Sequence, residues 1–478
     1  MPKAPRGTLQ TKVRAEPVWG LAAILALAVI ARAPRLLESL WYDEIAAYIF
    51  YSSKGPWYVI SNYHDPSNHI FHSLLAWASV EFLGWLGSIE LAFRLPALFF
   101  SLLTIVVIRE LAREIAGKRA GWIAALLMAA LPVSVLEGAD ARGYSMMIFF
   151  SAAASWALLC GLRSGNLATW IAYAAFCALG VWSHLMTMFV PLGHGVLLVL
   201  LYRRSERRRN ALQGLAALLG GALLTFVMFA PALDDVFRFY SGKSVAAAES
   251  EQPTLLGTEG LHALLQLGGS WYWWAAIPGL ALFASGFSLS FRRQDTRLAL
   301  AATMLGVPLM IAAVAVAGTW VYARFALFAL PGAIVLMSFA IEELWLRNRA
   351  LGIIALATVI IASAADLLTR PPRQPMRKAV ELILREQRDS SPVIGLGLNV
   401  PDIVIYEPRE FRILFSAHGG AQFEELLALP QVKHIIISYP HLLSAQRLDA
   451  VRAAGFERIA ALPGWADWGK GEVQVWRR

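Results

Sequence analysis

A series of long apolar segments constrains this chain more than any other feature of its sequence. A helix of roughly 20 apolar residues crosses the hydrocarbon core of a bilayer, which is about 30 Å thick. Hydrophobic residues make up 58% of the 478 residues and charged residues only 16%, against about half and about a quarter in soluble domains. The sequence therefore predicts a polytopic α-helical membrane protein.

Basic residues predict the orientation of these segments, because Lys and Arg concentrate in cytoplasmic loops. The N-terminal segment Lys3–Arg14 is one such cluster, and the apolar run after it is interpreted as an uncleaved first helix. Placing every basic cluster inside predicts eleven spans, with the C-terminus outside. The predicted spans are 17–35, 94–111, 120–137, 145–162, 167–184, 186–203, 211–231, 271–290, 298–318, 325–343 and 350–368.

Two long outer loops are predicted, at 36–93 and 232–270. The apolar stretch His69–Leu86 would break the alternation of basic clusters if it crossed the membrane. It is therefore predicted to lie along the outer surface as an amphipathic helix. The dipeptide Gln252-Pro253 indicates irregular structure in the second loop.

The net charge of +9 is explained by the same cytoplasmic loops. A basic soluble protein would suggest nucleic-acid binding, but here the excess of Lys and Arg is what membrane orientation requires. No nucleic-acid partner is expected. Cys160 and Cys177 lie inside apolar segments, and they are interpreted as small core residues, not as a disulfide or metal ligands.

The pattern changes after Leu368, where a Pro-rich linker, Arg370–Arg373, ends the transmembrane domain of residues 1–369. Residues 370–478 alternate helical and strand-like patterns, which indicates a small extracytoplasmic α/β domain. Gly395 and Gly397 lack the third glycine of a nucleotide-binding motif. Strands are predicted at 393–398, 403–406, 412–415, 434–438, 456–462 and 473–476, and helices at 376–389, 421–429 and 443–454.

Charged residues recur in the outer turns next to the predicted spans. Asp43 and Glu44 follow the first span, and Asp140 and Arg142 lie in the short turn 137–144. Such residues are also found in an interfacial aromatic belt or in a surface ion pair of little energetic value. Several carboxylates on one membrane face, each next to a helix end, favour a shared cleft instead.

A third outer turn, Trp320–Phe325, contains Tyr322 and Arg324. An arginine at a helix end can extend to lipid headgroups, and it is also the side chain best suited to hold a phosphate. His184 lies between two spans, where a single histidine is more often an interfacial residue than a catalyst. Carboxylates, arginines and aromatic faces at the membrane surface together suit sugar transfer from a lipid phosphate.

These segments resemble the GT-C superfamily of membrane glycosyltransferases, and in particular the bacterial branch related to protein O-mannosyltransferases and aminoarabinose transferases. The similarity is good over about residues 20–200, looser to about 370, and only architectural beyond. The segments that carry it are Trp41-Tyr42-Asp43-Glu44, Asp65-Pro66-Ser67-Asn68-His69 before Phe71-His72, Phe93-Arg94-Leu95-Pro96, Gly117-Lys118-Arg119, Asp140-Ala141-Arg142-Gly143-Tyr144, and Tyr322-Ala323-Arg324-Phe325 with Pro331.

The resemblance implies a glycosyltransferase of the inner membrane whose active site is extracytoplasmic. Asp43 would be the general base with support from Glu44, Asp140 would orient the acceptor or the base, and Arg324 with Arg142 would hold the phosphate. The donor would be a polyprenyl-phosphate-linked sugar, the acceptor a glycan, lipid or protein, and the anomeric centre would invert. The predicted substrate-binding residues are Arg142, Tyr144, His69, His184, Tyr322 and Arg324.

Some members of the superfamily use a divalent cation, but no compact set of ligands in this sequence predicts a metal site. Many members also have consecutive prolines after the histidine of the first outer loop, where this chain has Asp65-Pro66-Ser67-Asn68. The acceptor side is therefore expected to differ. Two other classes stay open: a transporter of lipid-linked sugars, which should carry ionisable residues deep within its spans, and a non-catalytic assembly subunit.

Overall fold

The computed structural model describes residues 18–204, 207–239, 241, 257–317, 321–386, 391–397, 405–406, 413–416 and 421–478. The basic N-terminal segment, Trp320 and most of the loop that contains Gln252-Pro253 lie outside the described residues.

The described chain is mostly helical, and a small sheet follows the last long helix. Residues 233–239 are also helical. Short 3₁₀ helices cover Ser52–Lys54, Gly84–Leu86, Leu185–Met188, Ala230–Ala232, Ala323–Ala329 and Pro440–Leu442. The α-helices are α1 Val18–Leu36, α2 Tyr42–Phe50, α3 Pro56–Ser61, α4 Ile70–Leu83, α5 Ile89–Ala116, α6 Lys118–Ala130, α7 Pro132–Glu137, α8 Tyr144–Ser164, α9 Leu167–Ser183, α10 Phe189–Tyr202, α11 Arg208–Phe229, α12 Thr258–Leu267, α13 Trp273–Ser290, α14 Gln294–Met304, α15 Gly306–Ala317, α16 Leu330–Arg347, α17 Arg349–Thr369, α18 Met376–Glu386, α19 Ala421–Ala428, α20 Ala445–Ala453 and α21 Ala466–Gly469.

Each of the eleven predicted spans corresponds to one helix or to two consecutive helices. In the described part of the chain, nine helical segments are long and apolar enough to cross a membrane. The other two predicted spans are α9, which has 17 residues, and the pair α6 and α7. That pair is interrupted at Leu131, so neither helix is long enough alone.

The interruption between α6 and α7 leaves two carbonyl groups without a helical donor. Pro132 begins α7 and has no N–H to donate to the carbonyl of Met128. The N–H of Val133 donates to the carbonyl of Gly269, at 3.0 Å, and not to that of Ala129. In an apolar interior such unpaired carbonyls are costly.

Arg32, on α1, and Ser134, on α7, supply the missing donors. The guanidinium group of Arg32 is fully buried and donates to the carbonyl oxygens of Met128 and Ala129, at 3.3 Å and 3.1 Å. It also donates to the hydroxyl of Ser134, at 3.0 Å, and this hydroxyl donates to the carbonyl of Met128. A buried charge inside an apolar helix is expensive unless its donors are matched, and here they are. The broken helix can therefore lead the chain into the acidic turn that follows α7.

We expect the substitution Arg32→Met to lower the melting temperature of the detergent-solubilised protein. The substitution removes the donor to the buried carbonyl of Ala129, and an unpaired buried polar group costs about 1–3 kcal/mol. The matched control is Arg163→Met, because Arg163 is 46% exposed and pairs with Glu114 at the surface, where an ion pair contributes about 1 kcal/mol at most. Equal losses of thermal stability in the two variants would contradict this account of the broken helix.

The predicted outer-surface helix forms as α4, with an unusual distribution of side chains. His72, Ser73 and Ser79 are buried against the protein, whereas Phe82 is 70% exposed and Trp85, in the 3₁₀ helix that follows α4, is 78% exposed. Exposed aromatic side chains beside a buried polar face suit a helix whose outer side contacts lipid. That α4 lies along the membrane surface stays a prediction.

The region after α17 is an α/β unit with a five-stranded sheet in the order β2-β1-β3-β5-β4. The first three strands of the chain pair in parallel, and β5 pairs antiparallel with β3 and β4. Helix α18 packs against one face of the sheet through a buried cluster. The strands are β1 Val393–Leu396, β2 Ile413–Ser416, β3 His434–Ser438, β4 Glu457–Leu462 and β5 Val473–Arg477.

One of the six predicted strands, 403–406, is wrong in its described part. Residues 405 and 406 are helical, and 403 and 404 lie outside the described residues. The hydroxyl of Tyr406 accepts a hydrogen bond from the N–H of Leu40, at 2.7 Å, and donates to Glu90, at 3.0 Å. These contacts with the membrane helices override the strand propensity of the segment.

Candidate functional site

A cavity of about 260 Å³ lies where α2, the turn before α4, the end of α9 and the 3₁₀ helix after Tyr322 converge. Seven of the predicted site residues line it, and Glu44 and Asp140 do not. The seven are Asp43, His69, Arg142, Tyr144, His184, Tyr322 and Arg324.

Asp43 lies between two arginines on the wall of this cavity. Its carboxylate Oδ2 is 2.8 Å from Nη2 of Arg324 and 3.8 Å from Nη2 of Arg142. Arg142 also donates to the backbone carbonyl of Asp43, at 3.1 Å. Asp43 belongs to the first turn of α2, where the positive end of the helix dipole favours a carboxylate. The side chain is 20% exposed, so a ligand in the cavity can reach it.

Aromatic rings surround the guanidinium group of Arg324. Its central carbon lies 5.0 Å from the ring centre of Tyr322, 5.4 Å from that of Trp41 and 5.7 Å from that of Tyr144. Cation–π contacts of this kind hold a planar guanidinium in place. Arg324 is therefore positioned to offer its N–H groups to an anion in the cavity.

Glu44 is bound in a different direction, away from the cavity. Its carboxylate accepts two hydrogen bonds from Arg94, at 2.8 Å and 2.6 Å. It also accepts from the N–H of Trp41 and from that of Ala141, at 3.1 Å and 2.6 Å. Glu44 is fully buried, and these four hydrogen bonds occupy both oxygen atoms of its carboxylate. Its contacts join the turn before α2 to the turn after α7, which suits a positioning role.

Asp140 contacts an arginine that the sequence pattern placed in a linker. Arg373 lies after α17 and forms ion pairs with Asp140 and with Glu137, the latter at 3.4 Å. Its guanidinium is stacked between Trp465 and Trp41, at 3.9 Å and 4.6 Å. Burial raises the pKa of the Asp140 carboxyl, and the positive charge of Arg373 opposes this rise.

The first outer loop closes another side of the cavity. Arg142 donates to the backbone carbonyl of Ser67, at 3.1 Å, and Asp65 accepts a hydrogen bond from the hydroxyl of Tyr51, at 3.1 Å. The side-chain amide of Asn68 donates a hydrogen bond to the carbonyl oxygen of Val59, at 2.9 Å. The loop that departs from the superfamily pattern is thus an ordered part of the cavity wall.

Apolar side chains line other parts of the cavity wall. We call the part formed by Asp43, Arg142 and Arg324 the polar end of the cavity, and the apolar side chains elsewhere in the wall suit a lipid tail. Among the described residues, no group of three or more His, Cys, Asp or Glu side chains is arranged to hold a metal ion. The apolar lining residues include Ala46, Phe50, Ile70, Val181, Leu185, Met186, Phe229 and Phe325.

Arg94, Arg373 and Glu137 are the residues of this site that sequence reasoning did not assign. The sequence indicates Arg94 only as part of a segment that carries the family resemblance, and Arg373 only as a residue of the predicted linker. The one available signal was a charged residue next to the end of a span.

The middle part of the chain is similar to a known family. Residues 70–233 match the family model described as dolichyl-phosphate-mannose-protein mannosyltransferase. No curated protein matches the sequence.

Solved structures resemble this fold over nearly the whole chain. ArnT from Cupriavidus metallidurans in the apo state has a TM-score of 0.60 at 14% identity, and the alignment covers 95% of this chain and 97% of ArnT. The same protein bound to undecaprenyl phosphate has a TM-score of 0.57 at 14% identity, with 96% and 97% coverage. The Archaeoglobus fulgidus oligosaccharyltransferase in complex with Zn and sulfate has a TM-score of 0.54 at 13% identity, covering 88% of this chain and 68% of that one.

The resemblance to the GT-C superfamily of membrane glycosyltransferases is thereby confirmed. The chain has the GT-C fold, with a helical membrane part and a small C-terminal α/β unit.

We expect Glu44→Ala to destabilise the protein strongly, because it leaves the buried Arg94 unpaired. Breaking a buried ion pair costs about 3–5 kcal/mol. The matched control is Glu114→Ala, since Glu114 is 30% exposed and pairs with Arg163. Thermal unfolding in detergent measures both. A Glu44→Ala variant with wild-type thermal stability and no activity would instead give Glu44 a direct chemical role.

Proposed function

We propose that this protein is a glycosyltransferase of the inner membrane. It transfers a sugar from a polyprenyl-phosphate carrier to an acceptor hydroxyl on the extracytoplasmic face. The observation that carries the proposal is the Asp43 carboxylate, which lies between two arginines at the polar end of a cavity that also has apolar side chains in its wall. The match of residues 70–233 to a mannosyltransferase model supports it.

The two arginines give the cavity its affinity for the phosphate of the donor. Arg324 and Arg142 place two guanidinium groups beside the Asp43 carboxylate, and guanidinium groups bind phosphate oxygens through paired hydrogen bonds. The apolar wall holds the first isoprene units of the carrier. A protein of the same fold, ArnT, has been solved with undecaprenyl phosphate bound.

Asp43 acts as the general base in the transfer step. Its carboxylate takes the proton from the acceptor hydroxyl while the acceptor oxygen attacks the anomeric carbon. The bond between that carbon and the phosphate oxygen breaks, and the carrier leaves as polyprenyl phosphate. Direct displacement inverts the anomeric centre. The guanidinium groups stabilise the charge that develops on the departing phosphate.

The ion pair between Asp43 and Arg324 links donor binding to the position of the base. The Asp43 carboxylate lies 2.8 Å from the guanidinium group of Arg324. A phosphate bound by Arg324 competes for the same N–H groups. Donor binding thereby loosens the ion pair and frees the Asp43 carboxylate for the acceptor hydroxyl.

The other two acids support this arrangement. Glu44 holds the turn that carries Asp43, through Arg94 and the N–H of Ala141. Asp140 holds the turn that carries Arg142, through its ion pair with Arg373. In the proposal both are positioning residues, and the acceptor, whether glycan, lipid or protein, approaches from the aqueous side beside the first outer loop.

We expect Asp43→Asn to reduce transfer at least 100-fold, since general base catalysis contributes about 10²–10⁴ in rate. Binding of polyprenyl phosphate should persist in this variant. Arg324→Ala should instead weaken that binding. Transfer from a polyprenyl-phosphate-linked sugar and carrier affinity are both measured on protein in nanodiscs.

The matched controls for these two variants are Asp234→Asn and Arg238→Ala. This second acid–arginine pair is at the surface, where both side chains are 75% exposed. Both controls should keep wild-type transfer and affinity. Asp43→Asn with more than a tenth of wild-type transfer would refute the assignment of the base, and unchanged carrier affinity in Arg324→Ala would remove its phosphate role.

A further inference from the structure

Two histidine rings, His69 and His184, lie side by side in the wall of the cavity. Their ring centres are 4.7 Å apart, and both rings pack against Tyr144, at 5.3 Å and 4.9 Å. The guanidinium of Arg324 lies over the same tyrosine ring, at 5.7 Å. The histidines and Arg324 therefore surround one aromatic side chain at the polar end of the cavity.

Backbone contacts determine which nitrogen of each histidine carries a hydrogen. Nδ1 of His69 accepts a hydrogen bond from the N–H of Gly143, at 3.0 Å. Nδ1 of His184 accepts from the N–H of Met186, at 3.2 Å. A backbone N–H can only donate, so Nδ1 is unprotonated in both rings. In each neutral ring the hydrogen is therefore on Nε2.

Gly143 makes the first of these contacts possible. A Cβ atom at this position would lie 2.3 Å from Nδ1 of His69 and 2.4 Å from the carbonyl oxygen of Ser183. A side chain here would push the His69 ring out of its place. The close approach holds the ring with its Nδ1 edge toward the backbone, which leaves the Nε2 edge for the cavity.

Both rings are neutral in this environment. Burial lowers the pKa of His69 well below its usual range, and the positive charges of Arg142 and Arg324 lower it further. The same two arginines face the ring of His184. Each histidine lines the cavity, and neither Nε2 atom has a hydrogen-bond partner among the described residues.

We propose that the Nε2–H groups of His69 and His184 form a pair of neutral donors that bind the phosphate of the lipid-linked donor. The identity of this ligand rests on the proposed function. The pair adds two hydrogen bonds beside Arg142 and Arg324 without adding charge. A third cation would hold the departing phosphate more tightly and slow its release, whereas neutral donors strengthen as charge develops on the oxygen.

Asn and Gln substitutions test the roles of the two ring nitrogens separately. The Asn amide reaches about as far as Nδ1 of histidine, and the Gln amide about as far as Nε2. His184→Asn can keep the contact with Met186 but removes the donor to the cavity. His184→Gln keeps a donor at the reach of Nε2. The same reasoning applies to His69→Asn and His69→Gln, with the N–H of Gly143 as the backbone partner.

Binding of polyprenyl phosphate to the protein in nanodiscs tests the proposal, with the phosphate-free polyprenol as the control ligand. Each Asn variant should lose about tenfold or more in affinity for polyprenyl phosphate, as expected for a lost hydrogen bond to a charged group. Each Gln variant should stay within about threefold of wild type. Affinity for polyprenol should not change. Equal affinities in the Asn and Gln variants would overturn the proposal.

The tautomers are tested independently by ¹⁵N NMR of histidine-labelled wild-type protein at pH 7. One variant of His69 and one of His184 are needed, and only to assign the two signals. The signals of His69 and His184 should be those of neutral rings with hydrogen on Nε2. An imidazolium signal, or hydrogen on Nδ1, would overturn the proposal.

The two proposals fail in different ways. Wild-type protein that transfers sugar while the Asn variants bind polyprenyl phosphate normally would overturn the histidine pair alone. Wild-type protein that binds polyprenyl phosphate through the histidines but transfers no sugar would refute the proposed function and leave the phosphate site. Wild-type protein without affinity for polyprenyl phosphate would refute both.

Discussion

The contact of one carboxylate with two guanidinium groups is the interaction on which this structure depends. Asp43 comes from the first turn of α2, Arg142 from the turn after α7, and Arg324 from the 3₁₀ helix before α16. These positions are 99 and 281 residues apart from Asp43 along the chain. The cost of bringing them together is offset by burial of the helices behind them, and the resulting cavity has one compact charged end.

The C-terminal unit contributes directly to this site. Arg373, in the linker before the α/β unit, is stacked between Trp465 of that unit and Trp41 beside the cavity. It forms ion pairs with both Glu137 and Asp140. Unpaired, two buried carboxylates next to one another would repel and take up protons. Arg373 is therefore the internal counter-ion of Glu137 and Asp140, and Trp465 of the α/β unit holds its guanidinium group in place.

Much of the fold could be predicted because long apolar segments and basic clusters are local features. The turns that contain Asp43, Asp140 and Arg324 could be found for the same reason, since each lies between two apolar segments. The partners within the site could not be predicted. Arg94 and Glu44 are 50 residues apart along the chain, and Arg373 and Asp140 are 233 residues apart. No local sequence pattern predicts contacts between residues so far apart. The same limit explains residues 405 and 406, where contacts with the membrane helices replace a predicted strand.

The central claim is that the polar end of the cavity is a phosphate site built around Asp43 and its arginines. A cryo-EM structure of the protein in nanodiscs with polyprenyl phosphate bound tests it most directly. The account predicts the phosphate within hydrogen-bond distance of Arg142 and Arg324, the isoprene tail along Phe229 and Met186, and a longer distance from Asp43 to Arg324 than the present 2.8 Å. A phosphate bound outside this cavity, with the ion pair of Asp43 and Arg324 intact, would contradict it.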